Sequence, residues 1–164
     1  MDPFATDLHF LRQAIRLALE GMSRNEGGPF GALIVRDGQV IGQGHNQVLA
    51  TNDPTAHAEM VAIRQACRHL GHFQLEGCVL YASCEPCPMC LGAIYWARPD
   101  RIVYAASHQD AAEIAGFDDE FIYQELELPP PDRRIPGLQL LREEGLEPFY
   151  TWREKGDKKL YWAR

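Results

Sequence analysis

A chain of 164 residues holds one well-cored domain and is too short for two ordinary ones. Apolar residues at 46% and charged residues at 24% exclude a disordered or fibrous design, and no run approaches the roughly eighteen apolar residues of a membrane span. The formal charge of −7, with 16 basic residues scattered among 23 acidic ones, opposes a nucleic-acid partner held by its phosphates.

Met1-Asp2-Pro3 has neither the basic start nor the apolar core of a signal peptide, so the expectation is a cytoplasmic protein without a membrane partner. Leu8, Leu11, Ile15, Leu19 and Met22 recur at three- and four-residue steps and predict an amphipathic helix from about Asp7 to Arg24 that covers one face of a sheet. Asn25-Glu26-Gly27-Gly28-Pro29 breaks it. Phe30 to Val35 then reads as a strand, Asp37-Gly38 as a two-residue turn, and Gln39 to about Gly44 as the antiparallel partner.

After a polar loop, Asp53 is a plausible N-cap and Pro54 a first helical residue, which predicts a helix running to about Leu70. Cys78 to Ala82 is a short buried strand. Pro86 or Pro88 starts the next helix, ending near Ala97, and Arg101 to Ala105 is another strand. Strand, helix and strand with short connections imply parallel pairing by a right-handed crossover.

Farther on, Gln109 to Ala115 is weakly helical with Gly116 as its C-cap, and Asp118 to Leu126 is a second helical stretch. Pro129-Pro130-Pro131 reads as a rigid extended linker, Leu138 to Leu141 as a fifth, edge strand, and Pro148 as the start of a last helix. The fold class expected is α/β: a three-layer α/β/α domain with a mixed five-stranded sheet, one domain over residues 1–164.

Chemistry concentrates in Thr55-Ala56-His57-Ala58-Glu59 and in Ser83-Cys84-Glu85-Pro86-Cys87-Pro88-Met89-Cys90. One His and two Cys supply three of the four tetrahedral ligands that Zn²⁺ takes, the count of a catalytic rather than a structural site. On a helix Cys87 and Cys90 share a face, and a helix N-terminus favours the thiolate. Glu59, two positions from His57, points away from the ligand face and suits an acid/base that serves the metal's water. H-x-E with P-C-x-x-C is the signature of zinc-dependent base deaminases.

Singly, His57, Cys87 and Cys90 are ordinary core residues; jointly, with Glu59 and Pro86, they read as one zinc site per chain. Cys84-x-x-Cys87-x-x-Cys90 also resembles part of an iron–sulfur run, but it lacks a fourth Cys and leaves His57-x-Glu59 unexplained. The five cysteines, an odd number, oppose a disulfide framework; Cys67, Cys78 and Cys84 read as buried thiols.

Asn52 to Glu59, Ser83 to Cys90, Leu91 to Pro99 and Asp110 to Tyr123, with the especially telling Gly116-Phe117-Asp118-Asp119, resemble the bacterial guanine deaminases of the cytidine deaminase-like superfamily. The resemblance runs from Gly28 to Tyr161. It implies zinc on His57, Cys87 and Cys90, with Glu59 carrying the proton. It further implies that Asn46 hydrogen-bonds a purine base, that Phe30, Ala58, Trp96 and Phe117 line its site, and that Asp119 is a second acid near the guanine amino group. Tyr161, in a C-terminal segment of about residues 148–164, then closes the pocket, in a homodimer whose tails complete the partner's site. Trp162-Ala163-Arg164 extend that tail.

The reaction so implied is hydrolysis of guanine to xanthine and ammonia. Rivals are a deaminase for a nucleoside such as guanosine or cytidine, for a related aminated heterocycle, or for tRNA adenosine. A non-catalytic zinc-stabilised module is the rival outside enzymes, and it has no use for Glu59.

Overall fold

The chain alternates helices with short strands, and their side chains explain the layering. The computed structural model describes residues 3–161; the expectations for Met1, Asp2 and Trp162-Ala163-Arg164 lie outside them. The chain divides into two compact units, Met1–Asp119 and Glu120–Arg164.

In the first unit, α1 (Pro3–Ser23) precedes the hairpin of β1 (Gly31–Arg36) and β2 (Gln39–His45), and the one-turn α2 (Val48–Thr51) leads to α3 (Ala58–Leu70). Then come β3 (Cys78–Cys84), α4 (Pro88–Ala97), β4 (Arg101–Ala106) and α5 (His108–Ala115). The strand order is β2-β1-β3-β4, with β1 antiparallel to both neighbours and β3 parallel to β4. The turn between β1 and β2 needs positive φ at both Asp37 and Gly38, as a type I′ turn does.

β1 is buried on both faces, which is why its sequence is apolar without alternation. Its side chains still divide by the two-residue period. Leu33 and Val35, with Tyr81 of β3, pack on Phe10 and Ala14 of α1. Ala32 and Ile34, with Leu80 and Ala82, pack on Ala58, Ala62 and Ala66 of α3 and on Ile94 and Ala97 of α4. The result is the expected three-layer α/β/α arrangement.

Close approach of α3 to β2 depends on glycine. A Cβ at Gly44 would lie 2.6 Å from the carbonyl oxygen of Ala58, and one at Gly42 would lie 2.4 Å from that of Ala62. Glycines on the strand thus set the height at which α3 begins.

The buried stripe of α1 is Phe10, Ala14, Ala18 and Gly21 rather than Leu8, Leu11, Ile15, Leu19 and Met22; of these, Ile15, Leu19 and Met22 stay exposed. Small residues win that face because the helix backbone lies against the sheet: a Cβ on Gly31 would sit 2.2 Å from the Ala14 carbonyl oxygen. α3 starts at Ala58, not at Pro54, because the Asp53 carboxylate accepts hydrogen bonds from the backbone N–H (2.8 Å) and hydroxyl (2.7 Å) of Thr55, forming a local turn in place of a helical cap.

At the exposed edge of the sheet, Asp7 of α1 ties three elements together. It accepts hydrogen bonds from the Tyr81 hydroxyl at 2.7 Å and from the Arg101 guanidinium at 2.7 and 2.9 Å. The Arg101 bond above all holds the Asp7 carboxyl below its usual range. A depressed carboxylate stabilises the fold above its unfolded pKa of 3.8, and that stabilisation is lost as pH falls through the lower folded value. Asp7→Asn is therefore expected to cost about 1 kcal/mol at pH 7 and nothing in the acid range where wild-type Asp7 is itself protonated. Denaturant unfolding of both proteins across pH checks this.

The second unit contains α6 (Glu120–Glu127), a 3₁₀ turn at Pro130–Asp132 and α7 (Arg142–Glu154). Three expectations are corrected here. The fifth strand does not form among the described residues: Leu138, Leu140 and Leu141 are exposed, and Leu141 takes a left-handed conformation (φ 52) that ends extended chain and caps α7. The triple proline is not extended throughout, since the Asp132 N–H closes a turn on the Pro129 carbonyl at 2.9 Å. Pro148 lies inside α7 instead of opening it, because the helix is already started by Leu141, whose carbonyl accepts from the Gly145 N–H at 2.9 Å. Among the described residues, no helix is long and apolar enough to cross a membrane.

Candidate metal centre and its cavity

Two helix N-termini carry the candidate metal ligands. His57 is the N-cap of α3 and Cys87 the N-cap of α4, both with extended backbone, and Pro88 occupies the first helical position of α4. An N-cap side chain ordinarily accepts a hydrogen bond from its own helix. Neither does so here, which leaves imidazole and thiol to meet. Cys90, two residues past Pro88, is fully buried.

His57 Nδ1 lies 3.5 Å from Cys87 Sγ and 3.6 Å from Cys90 Sγ, and all three ligand atoms lie within 4.8 Å of one another. A tetrahedral ion with metal–nitrogen and metal–sulfur bonds of about 2.05 and 2.3 Å separates N from S by about 3.6 Å. The donor set and its spacing therefore fit zinc. Hydrogen bonds from Cys90 and then His57 pull the Cys87 thiol down to about 4, while the Cys87 sulfur pushes the Cys90 thiol up and raises His57. Metal ligation needs thiolates and a neutral imidazole, so a cation entering here displaces these shared protons.

Glu59, in the first turn of α3, is 7% exposed, and burial pushes its carboxyl above the usual range. It opens onto a cavity of about 300 Å³ that the metal-binding cluster also lines, with Phe30, Cys84, Glu85, His108, Ala111, Gly116, Phe117, Asp118 and Asp119 around it. Phe30 and Phe117 meet edge to face, their ring centres 5.0 Å apart. Among the described residues, the lining includes four carboxylates and no lysine or arginine.

The structure brings most of the anticipated residues together. Phe30, His57, Glu59, Cys87, Phe117 and Asp119 line the cavity; Cys90 stands behind it as the third candidate ligand. Asn46 is 5% exposed, and its Oδ1 accepts from the backbone N–H groups of Gly28 (3.3 Å) and Val48 (3.2 Å). That orientation leaves Nδ2 as the group available to donate. Ala58 is buried beneath the site in the first turn of α3. Trp96, 61% exposed on α4, is not part of the lining, and Tyr161 is exposed in the second unit. Among the described residues Asp119 Oδ1, which is buried, has no hydrogen-bond partner, and His108 Nδ1 lies 3.6 Å from it. Burial raises the Asp119 carboxyl, and the His108 charge opposes that rise.

Glu85, His108 and Asp118 were not anticipated. For His108 a signal was present: Ser107-x-x-Asp110 is a capping box, with Ser107 and Asp110 each capping the other, and it fixes the helix start on which His108 stands.

Residues 5–106 match the family described as the cytidine and deoxycytidylate deaminase zinc-binding region. Over most of its length the chain is similar to guanine deaminase of Bacillus subtilis strain 168, with 59% identity over 93% of this chain and 97% of that one. The X-ray structure of a Bacillus subtilis guanine deaminase superposes with a TM-score of 0.91 at 58% identity, again over 93% and 97% of the two chains. A tRNA-specific adenosine deaminase of Aquifex aeolicus is 45% identical, over 60% of this chain and 64% of that one. With the His, Cys and Cys ligand set at zinc spacing, a buried glutamate beside it, and the matching motif spanning both, the chain belongs to the zinc-binding cytidine and deoxycytidylate deaminase family.

Proposed function

We propose that this protein hydrolyses guanine to xanthine and ammonia, with one zinc per chain held by His57, Cys87 and Cys90. The observation that carries the reading is the cavity: a buried acid beside the candidate metal ligands, two phenyl rings, and an acidic lining without lysine or arginine among the described residues. Such walls suit a flat, uncharged base and repel phosphate. The small volume, at the low end for ligand sites, also favours a base over a nucleotide. The similarity to guanine deaminase supports guanine among bases.

Bound zinc supplies the Lewis acidity that makes water nucleophilic near neutral pH. Glu59 takes a proton as the attacking oxygen adds to purine C2, and its burial favours the protonated form that results. The C2–N bond breaks as the proton taken by Glu59 passes to the amino nitrogen, directly or by way of Asp119; ammonia leaves, and the proton of the added hydroxyl ends on a ring nitrogen as the C2 carbonyl forms. Phe30 and Phe117 hold the ring and exclude water. Asn46 Nδ2 donates to an acceptor on the purine, an orientation supported by the two backbone bonds to Oδ1.

The tRNA reading draws on the Aquifex aeolicus relative, but the charge of −7 and the acidic lining oppose it. Ammonia release from guanine, guanosine, adenine, cytosine, cytidine and a tRNA anticodon stem, measured in parallel with a chelated control, decides. Guanine alone should respond; faster release from guanosine or tRNA overturns the substrate assignment.

The enzyme in this reading is a cytoplasmic homodimer whose tails, with Tyr161, complete the partner's site. Five free cysteines support a reducing compartment. Neither α6 nor α7 buries a residue, and Ile135, Leu138, Leu140 and Phe149 are exposed, which supports a covering second copy. Deleting residues 155–164 is expected to abolish turnover with zinc still bound; metal analysis and the ammonia assay check both halves.

A further inference from the structure

We propose that His108 is a positioning residue for this reaction, orienting the Asp119 carboxylate toward the purine as a second acid beside Glu59. The inference rests on the reading of Asp119 as a group that faces substrate.

His108 is anchored to the zinc loop through its backbone. Its N–H donates to Glu85 Oε2 at 3.2 Å, the Glu85 N–H donates to the Ala106 carbonyl at 2.8 Å, and the Cys84 thiol donates to the Ser107 carbonyl at 3.4 Å. The parallel register pairs Cys84 with Ala106, so the start of α5 emerges beside the loop that bears Cys87. At the other end, Gly116 caps α5 in a left-handed conformation and the Phe117 N–H bonds back to the Ala111 carbonyl at 3.1 Å. This cap reverses the chain and returns Asp119 to the first turn of its own helix.

The two side chains meet in the cavity lining at 3.6 Å, an ion-pair distance outside hydrogen-bond range. Among the described residues, Asp119 Oδ1 is buried and lacks a donor. A buried carboxylate oxygen left without a donor costs stability unless a ligand uses it. Its placement makes sense if His108 holds the carboxylate from one side while the purine's N–H groups supply the missing donor. Catalytic pairs that are loose without substrate commonly tighten around it.

Steady-state kinetics of the zinc-loaded enzyme test this with Asp119→Asn, His108→Ala, His108→Asn and the double variant His108→Ala with Asp119→Asn. Asp119→Asn should lose about 100-fold or more in kcat, and His108→Ala about 10-fold or more, with zinc content and melting temperature unchanged. The double variant should be no slower than Asp119→Asn alone, because residues that act through one group are not additive. His108→Asn, whose amide nitrogen can stand where Nδ1 does, should recover most of kcat. Losses that multiply in the double variant, or a wild-type kcat in His108→Ala beside an impaired Asp119→Asn, overturn the role of His108. A wild-type rate in Asp119→Asn overturns the reading of Asp119 itself, and this inference with it.

Discussion

Glu59→Gln is expected to keep a full complement of zinc while kcat for guanine falls by about 10⁴-fold. The amide has nearly the same shape and stays in the first turn of α3, so the ligand cluster, to which Glu59 does not belong, is undisturbed. What it loses is the ability to take a proton and give it back. Burial makes the loss severe: at 7% exposure little bulk water reaches the position to substitute as base. Metal analysis together with single-turnover rates separates the two effects. Retained turnover in a zinc-loaded variant would falsify the assignment of proton transfer to this residue.

Cys87→Ala is expected to lose both zinc and activity, and to melt several degrees below the zinc-loaded wild type. Cys87 is the thiol held most strongly as thiolate, at about 4, and it caps the helix that also carries Cys90. Two remaining ligands hold zinc far more weakly than three, and metal affinity that favours the folded state is itself folding free energy. The ion would join the N-termini of α3 and α4, segments distant in sequence, so its loss is felt in the fold as well as in the reaction. Cys84→Ala is the control. Its thiol is pushed up to about 11 by burial, donates to the Ser107 carbonyl and stands outside the ligand group, so zinc should remain. Zinc bound at wild-type level in Cys87→Ala would remove that residue from the ligand set.

Helix starts were the part of the fold most exposed to error in the sequence. Asp53-Pro54 has the composition of a helix start, yet the Asp53 carboxylate is spent on Thr55, and the true start falls at His57. Pro148 likewise suits a first turn and lies inside α7. In both cases a local preference was satisfied in a competing way, which composition does not reveal. On α1 the spacing of the large apolar residues points to one stripe, whereas the sheet selects Ala14 and Ala18 for closeness of approach.

The sequence by itself determined the metal chemistry, because its parts are local: His57 with Glu59, and Cys87 with Cys90, each lie within one helical turn or its cap. It determined the α/β layering too, since an unbroken apolar run marks a strand buried on both faces and three- and four-residue steps mark a helix. Only the tertiary structure decided which residues share the cavity. The parallel pairing of β3 with β4 brings Ala106 beside Cys84 and so delivers His108 and Asp119 to the zinc loop. It leaves Trp96, a neighbour of the ligands in sequence, outside that lining. Backbone donors from Gly28 and Val48 fix which end of the Asn46 amide is free. Each of these outcomes depends on strand register and on hydrogen bonds between segments far apart in the chain, and no periodicity or spacing within one segment carries that information.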